Sequence, residues 1–75
     1  MYALYTTSEG YNTYALAVND RWTFTDFNIY DLKEAAAELK QPGEGWSIDD
    51  PDLVTKICEF RDLEEFAIKY PEYLI

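Results

Sequence analysis

The chain has 75 residues, enough for one domain (1–75) and no more. Fifteen acids against six bases give a formal charge of −9, and there is no histidine. That balance excludes direct binding to nucleic acid or to an anionic membrane, both of which require a basic face.

A domain this small buries only roughly 60–65% of the surface of its unfolded chain. Seven Tyr, four Phe and two Trp supply large buried area per residue, so a core forms without covalent staples. A disordered acidic tail would lack such aromatics. Cys58 is the single cysteine, which rules out an intramolecular disulfide and suits a reducing compartment. No apolar run approaches the roughly 18 residues of a membrane span. The start "MYALYTTSEGYN" has neither the basic residues nor the apolar stretch of a secretion signal. A cytoplasmic location is expected.

The first 27 residues read as three strands. "YALYTT" is bounded by the turn formers Ser8, Glu9, Gly10 and Asn12, with Tyr11 in the turn. Alternation sends Tyr2 and Tyr5 to opposite faces, so at least one leaves the core. "TYALAV" places Tyr14, Leu16 and Val18 on one face. "ND" at 19–20 signals a short turn, and "RWTFTDF" alternates Trp22 and Phe24 with Thr23 and Thr25. Short connections between three strands predict an antiparallel meander.

In "NIYDLKEAAAELKQPG", Asp31 and Glu34 have the spacing of a capping box, which predicts a helix starting at Asp31. Ala35, Ala36 and Ala37 favour helix, and Pro42 with Gly43 ends it. At 100° per residue Leu32, Ala35, Ala36 and Leu39 form one apolar stripe. The segment 54–60 fits both a helix and a strand. Strand is preferred, because its β-branched residues suit one and a helix start at Asp62 follows directly. "DLEEFAIKY" then repeats the cap spacing with Asp62 and Glu65, and the stripe with Leu63, Phe66, Ala67 and Tyr70. The two helices align position for position. A degenerate duplication and a common helix opening both account for that. Pro71 stops the second helix, leaving "YLI" as a closing strand or a packed tail. The predicted fold is α+β: a small antiparallel sheet of three N-terminal strands plus a fourth, with two helices on one face.

Several chemistries are struck out. Without histidine there is no Ser-His-Asp or Cys-His nucleophile and no His-based zinc or iron site. One cysteine makes no thiolate cluster, and Gly10, Gly43 and Gly45 form no phosphate loop. Cys58 has Lys56 and Arg61 nearby, but Ile57 and Phe60 point to a buried, inert thiol. A carboxylate-only enzyme needs two acids about 5–10 Å apart, which so acidic a chain supplies by accident. A body this small has little room for a pocket of about 300 Å³ or more. A non-enzyme without cofactor is therefore expected.

"GEGWSIDDPDLV" gathers Glu44, Asp49, Asp50 and Asp52 with no base among them. An EF-hand loop requires Gly at the sixth position and Glu at the twelfth. Counted from Asp49 these are Val54 and Phe60, and from Asp50 they are Thr55 and Arg61, so the motif fails. Asp49 or Asp50 reads as a turn former ahead of Pro51, the rest as solvated. Trp46 reads as a core plug, or as a contact anchor if exposed.

The organised charge lies on the first helix. Asp31, Glu34 and Glu38 fall within a wedge of about 60°, with Lys33 and Lys40 on the other flank. Glu34 and Glu38 are a like-charge i,i+4 pair, costing an isolated helix about 0.2–0.5 kcal/mol. At the matching place on the second helix Glu65 faces Lys69. The strip spaces carboxylates by about 6 Å along the axis, while phosphates of one DNA strand advance about 3.4 Å per step. In charge and size, and in no motif, the chain resembles the small acidic proteins by which phages and mobile elements block host nucleases and regulators, DNA mimics and anti-CRISPR proteins among them. The expected function is occlusion of a basic protein surface, that of a nucleic-acid-binding protein, by Asp31, Glu34 and Glu38. Glu44, Asp49, Asp50 and Asp52 form a second patch. The alternative is a structural or regulatory subunit that joins an assembly, or its own copy, through an apolar edge. Tyr5, Trp46 and Ile68 would carry it.

Overall fold

The computed structural model describes residues 1–49 and 52–74. The elements run β1 (Tyr2–Thr7), β2 (Gly10–Val18), β3 (Arg21–Thr25), α1 (Ile29–Leu39), β4 (Trp46–Ser47), β5 (Leu53–Phe60) and α2 (Leu63–Lys69), then a 3₁₀ turn at Pro71–Tyr73. The five strands form one antiparallel sheet in the order β4-β3-β2-β1-β5. The expected α+β class holds, and the sheet has one strand more than expected. No helix among the described residues is long and apolar enough to cross a membrane.

The meander is built by its turns. Asn19 and Asp20 both take positive φ (53° and 68°), so the two-residue turn twists with the strands it joins. The register then runs Val18 to Arg21, Ala17 to Trp22, Leu16 to Thr23, Ala15 to Phe24 and Tyr14 to Thr25. The β1–β2 ladder is less regular. Thr6 pairs with Tyr14 and Thr7 with Gly10, which leaves residues 11–13 of β2 as a three-residue bulge. Tyr11 thus belongs to a strand rather than to the turn.

Alternation divides the sheet between two clusters. Leu4, Leu16 and Phe60 meet Ile29, Leu32, Ala35 and Ala36 of α1 and Phe66 of α2, so both helices cover the same face. The rings continue through Phe66 to Phe27 (centroids 5.7 Å apart) and from Phe27 to Tyr73 (4.1 Å), which fastens the C-terminal turn as a packed tail. On the opposite face Ala15, Ala17 and Trp22 are buried beneath Tyr5, Phe24 and Leu53. Tyr2 packs on the first cluster and Tyr5 on the second, and both remain half-buried.

Two helix starts illustrate one rule. Asp62 caps α2, its carboxylate accepting from the Glu65 N–H at 2.8 Å, while Glu65 accepts from the Arg61 N–H. In α1 the cap is Asn28, three residues earlier than expected: its side-chain oxygen accepts from the Asp31 N–H at 3.0 Å. Asp31 occupies the third helical position and accepts in turn from the Asn28 amide. Asn28 and Asp31 have the same spacing as Asp31 and Glu34, and the apolar Ile29 draws the start forward, because it is buried at 5% exposure.

Candidate functional site

The turn after α1 sets the geometry of one sheet edge. Gly43 and Gly45 both have positive φ, and a Cβ on Gly45 would lie 2.7 Å from the Trp22 carbonyl oxygen and 2.8 Å from Leu39 Cδ2. Only glycine permits that approach. It delivers Trp46 opposite Trp22 and Ser47 opposite Arg21, and β4 ends there. The Trp22 indole donates to the Ser47 carbonyl at 2.9 Å. Trp46 is no core plug. It is 47% exposed and lies across Trp22 and Phe24, at centroid distances of 5.0 and 5.4 Å.

Beyond Trp22 the outer edge of β3 has no partner strand among the described residues. The next ladder position, opposite Phe24, would fall to Glu44, but its N–H is given to the Gln41 carbonyl. The turn Asn19–Asp20 makes Val18 and Arg21 a hydrogen-bonded pair, and alternation then turns the N–H and C=O of Trp22 and Phe24 away from β2. Trp46 meets the first, and no strand among the described residues meets the second.

Alongside this edge lies a groove of about 390 Å³, larger than a body of this size was expected to hold. Phe24, Thr25 and Asp26 line it from the end of β3, Asp31, Glu34, Ala35 and Glu38 from α1, and Glu9, Asn12 and Thr13 from the β1–β2 hairpin. The bulge at 11–13 brings the hairpin residues in. Five of these ten residues are carboxylates and none is a base. Asp31 is occupied in part by Asn28; Glu34 and Glu38 are exposed.

Arg21 starts β3 and Lys33 and Lys40 lie on α1 and at its end, but none of them lines the groove. Among the described residues every ion pair belongs to β5, α2 or the link between them: Lys56 with Glu59, Arg61 with Asp62 and Glu65, and Lys69 with Glu65 at 2.9 Å. Hydrogen bonds from the partner bases hold Glu59 and Glu65 below the usual carboxylate range and raise Lys56 and Lys69. The acids of α1 have no such partner among the described residues.

The residues singled out from sequence thus part company. Asp31, Glu34 and Glu38 share the groove, joined by Glu9 and Asp26, which sequence reasoning missed because strand-end and turn acids lack a helix period. Glu44 and Asp49 lie in the exposed loops either side of β4. Asp52 lies at the opposite sheet edge, where it accepts from the Ser8 hydroxyl at 3.2 Å. Asp50 lies outside the described residues. No group of three or more His, Cys, Asp or Glu among the described residues is arranged to hold a metal ion. Cys58 is half-buried rather than fully buried, and burial raises its thiol pKa more than the Tyr70 hydroxyl and Lys69 lower it. It is a poor nucleophile in consequence.

No family model, curated protein or solved structure matches the chain.

Proposed function

We propose that this is a non-catalytic acidic interaction protein whose groove beside α1 receives a basic surface of a partner. The observation that carries the reading is the groove lined by five carboxylates and no base, while the ion pairs among the described residues lie on β5, α2 and the link between them. A nucleic-acid-binding protein fits best, since its phosphate-binding face already presents spaced cations. Occluding that face would block its nucleic acid, as in the acidic inhibitors the chain resembles in charge and size.

The test is capture of a partner from lysate at low and high salt, with identification of what is retained. Contacts made of exposed charge pairs weaken steeply as ionic strength rises. Glu34→Lys with Glu38→Lys abolishes capture and leaves the fold intact. Capture that survives this double change eliminates the strip as the site.

A second reading rests on the exposed Trp46, whose ring completes an aromatic cluster with Trp22 and Phe24. A subunit docking through that surface, or through Tyr5 or the 74% exposed Ile68, would bind with little salt dependence and would lose its partner on Trp46→Ala.

A further inference from the structure

The form of the basic ligand follows from what lies beside the carboxylates. We propose that the groove takes an extended polypeptide segment as an added strand on the free edge of β3, with Lys or Arg at alternate positions. This deepens the reading above and rests on it.

Two observations meet here. The first is the vacant ladder position at Phe24, whose N–H and C=O face outward past the end of β4. An incoming strand hydrogen-bonds to both and continues the sheet. The second is the register of charge. Glu34 and Glu38 stand four residues apart on α1, a rise of about 6 Å. Residues i and i+2 of an extended strand point the same way and are separated by about 6.6–6.8 Å. The two repeats match to within about 1 Å, well inside the reach of an Arg or Lys side chain.

The faces agree as well. A residue directly opposite Phe24 shares its face of the sheet, the one away from α1. Its two neighbours therefore point toward α1, where Glu34 and Glu38 stand. The segment would read base, neutral, base, with the neutral residue giving its backbone to Phe24. A helical ligand would present bases in register but nothing for the Phe24 amide. A small cation would use neither.

The probe is a blocked seven-residue peptide alternating Thr and Arg, with Arg at its second, fourth and sixth positions. It is titrated into the ¹⁵N-labelled full-length protein at low salt. Two controls have the same charge: an isomer with its three Arg consecutive, and the alternating peptide N-methylated on its two internal Thr. The alternating peptide is expected to shift the Phe24 amide resonance and to lose affinity on Glu34→Gln with Glu38→Gln. Each control is expected to bind about tenfold more weakly, the loss of roughly one well-made hydrogen bond or charge pair. Equal binding by all three peptides, or binding that leaves the Phe24 amide unmoved, overturns the added strand and leaves the acidic site standing. Failure of every peptide, with partner capture still abolished by the Glu34 and Glu38 reversal, does the same. Failure of every peptide together with capture that survives that reversal overturns both readings.

Discussion

Glu38 stands where folding stability would favour a base, and replacing it makes a quantitative test. It lies four positions after Glu34 in α1 (Ile29–Leu39), in a last turn that has no basic residue. Two unit charges about 6 Å apart repel by about 0.7 kcal/mol in bulk water. Screening over a Debye length of about 8 Å reduces this to about 0.3 kcal/mol, in line with peptide pairs. Glu38→Lys removes that repulsion and substitutes an attraction of similar size, with the acid N-terminal to the base, the better orientation. It also places positive charge at the negative end of the helix dipole, for about 0.3–1 kcal/mol more. The sum is about 1 kcal/mol of stabilisation, or a rise in Tm of about 4–8 °C for a chain of this size. Thermal melts followed by circular dichroism at low and at 1 M salt measure it, and the gain should largely vanish at high salt. An unchanged or lowered Tm at low salt refutes the reasoning, since it would mean Glu38 already has a stabilising partner. A protein that becomes more stable while losing its partner would show that the acid is retained for binding.

Other outcomes follow from the same geometry. Gly45→Ala combines a strained positive φ with a clash on the Trp22 carbonyl, so it should destabilise by about 1–3 kcal/mol in urea denaturation and expose Trp46 further by fluorescence. Phe66→Ala empties the centre of the helical face, where Phe66 is fully buried, at a cost of about 3–5 kcal/mol. Against a total of about 4–11 kcal/mol for a chain this long, a large unfolded fraction should appear by near-ultraviolet circular dichroism at 37 °C. Glu65 has a depressed carboxyl pKa, chiefly through Lys69, so its contribution is present above the ordinary Glu value of about 4.3 and is lost as pH falls through the lower folded value. Lys69 stays charged throughout that window, its own pKa being raised. Urea midpoints from pH 7 down to pH 3 should therefore fall less steeply for Glu65→Gln than for the natural chain.

The elements with a period were legible in the sequence. Alternation gave β1 to β3, the positive-φ turn followed from "ND", and the strand at 54–60 appears as β5 (Leu53–Phe60). Both apolar stripes face the core, and Glu65 meets Lys69 as its helix spacing required. What has no period was not legible. β4 is two residues long, too short to alternate, and its place depends on a backbone approach that only Gly45 allows. Trp46 looked like core because its size suggests burial, but a tryptophan on a two-residue edge strand is covered on one side only. The half of the site on α1 was readable as helix periodicity. The other half was not, because Glu9 and Asp26 join it through a bulge at 11–13 and a strand end, and neither leaves a mark in local sequence.

The two sheet edges give a further reason to look to β3 rather than β5 for the partner. β5 is long enough to recruit another strand and exposes Val54 and Ile57, at 60% and 39%. Its ladder with β1 skips from Cys58 to Lys56 and from Thr55 to Leu53, so those two apolar residues are the extra residues of two bulges. Lys56 and Glu59 lie on that strand and neutralise each other. Bulges and charges on an edge are how sheets discourage unwanted pairing. The edge of β3 has neither device beyond Trp22. It carries instead a vacant backbone position, a flanking row of like charges and an exposed tryptophan. Each of these is unfavourable or at best neutral for the isolated fold; the vacant position and the like charges share one groove, and Trp46 flanks the same edge on the face away from α1. Local choices that oppose stability and gather at one place mark a surface kept for something outside the molecule. Pairing through β5 would instead require a partner to straighten two bulges first.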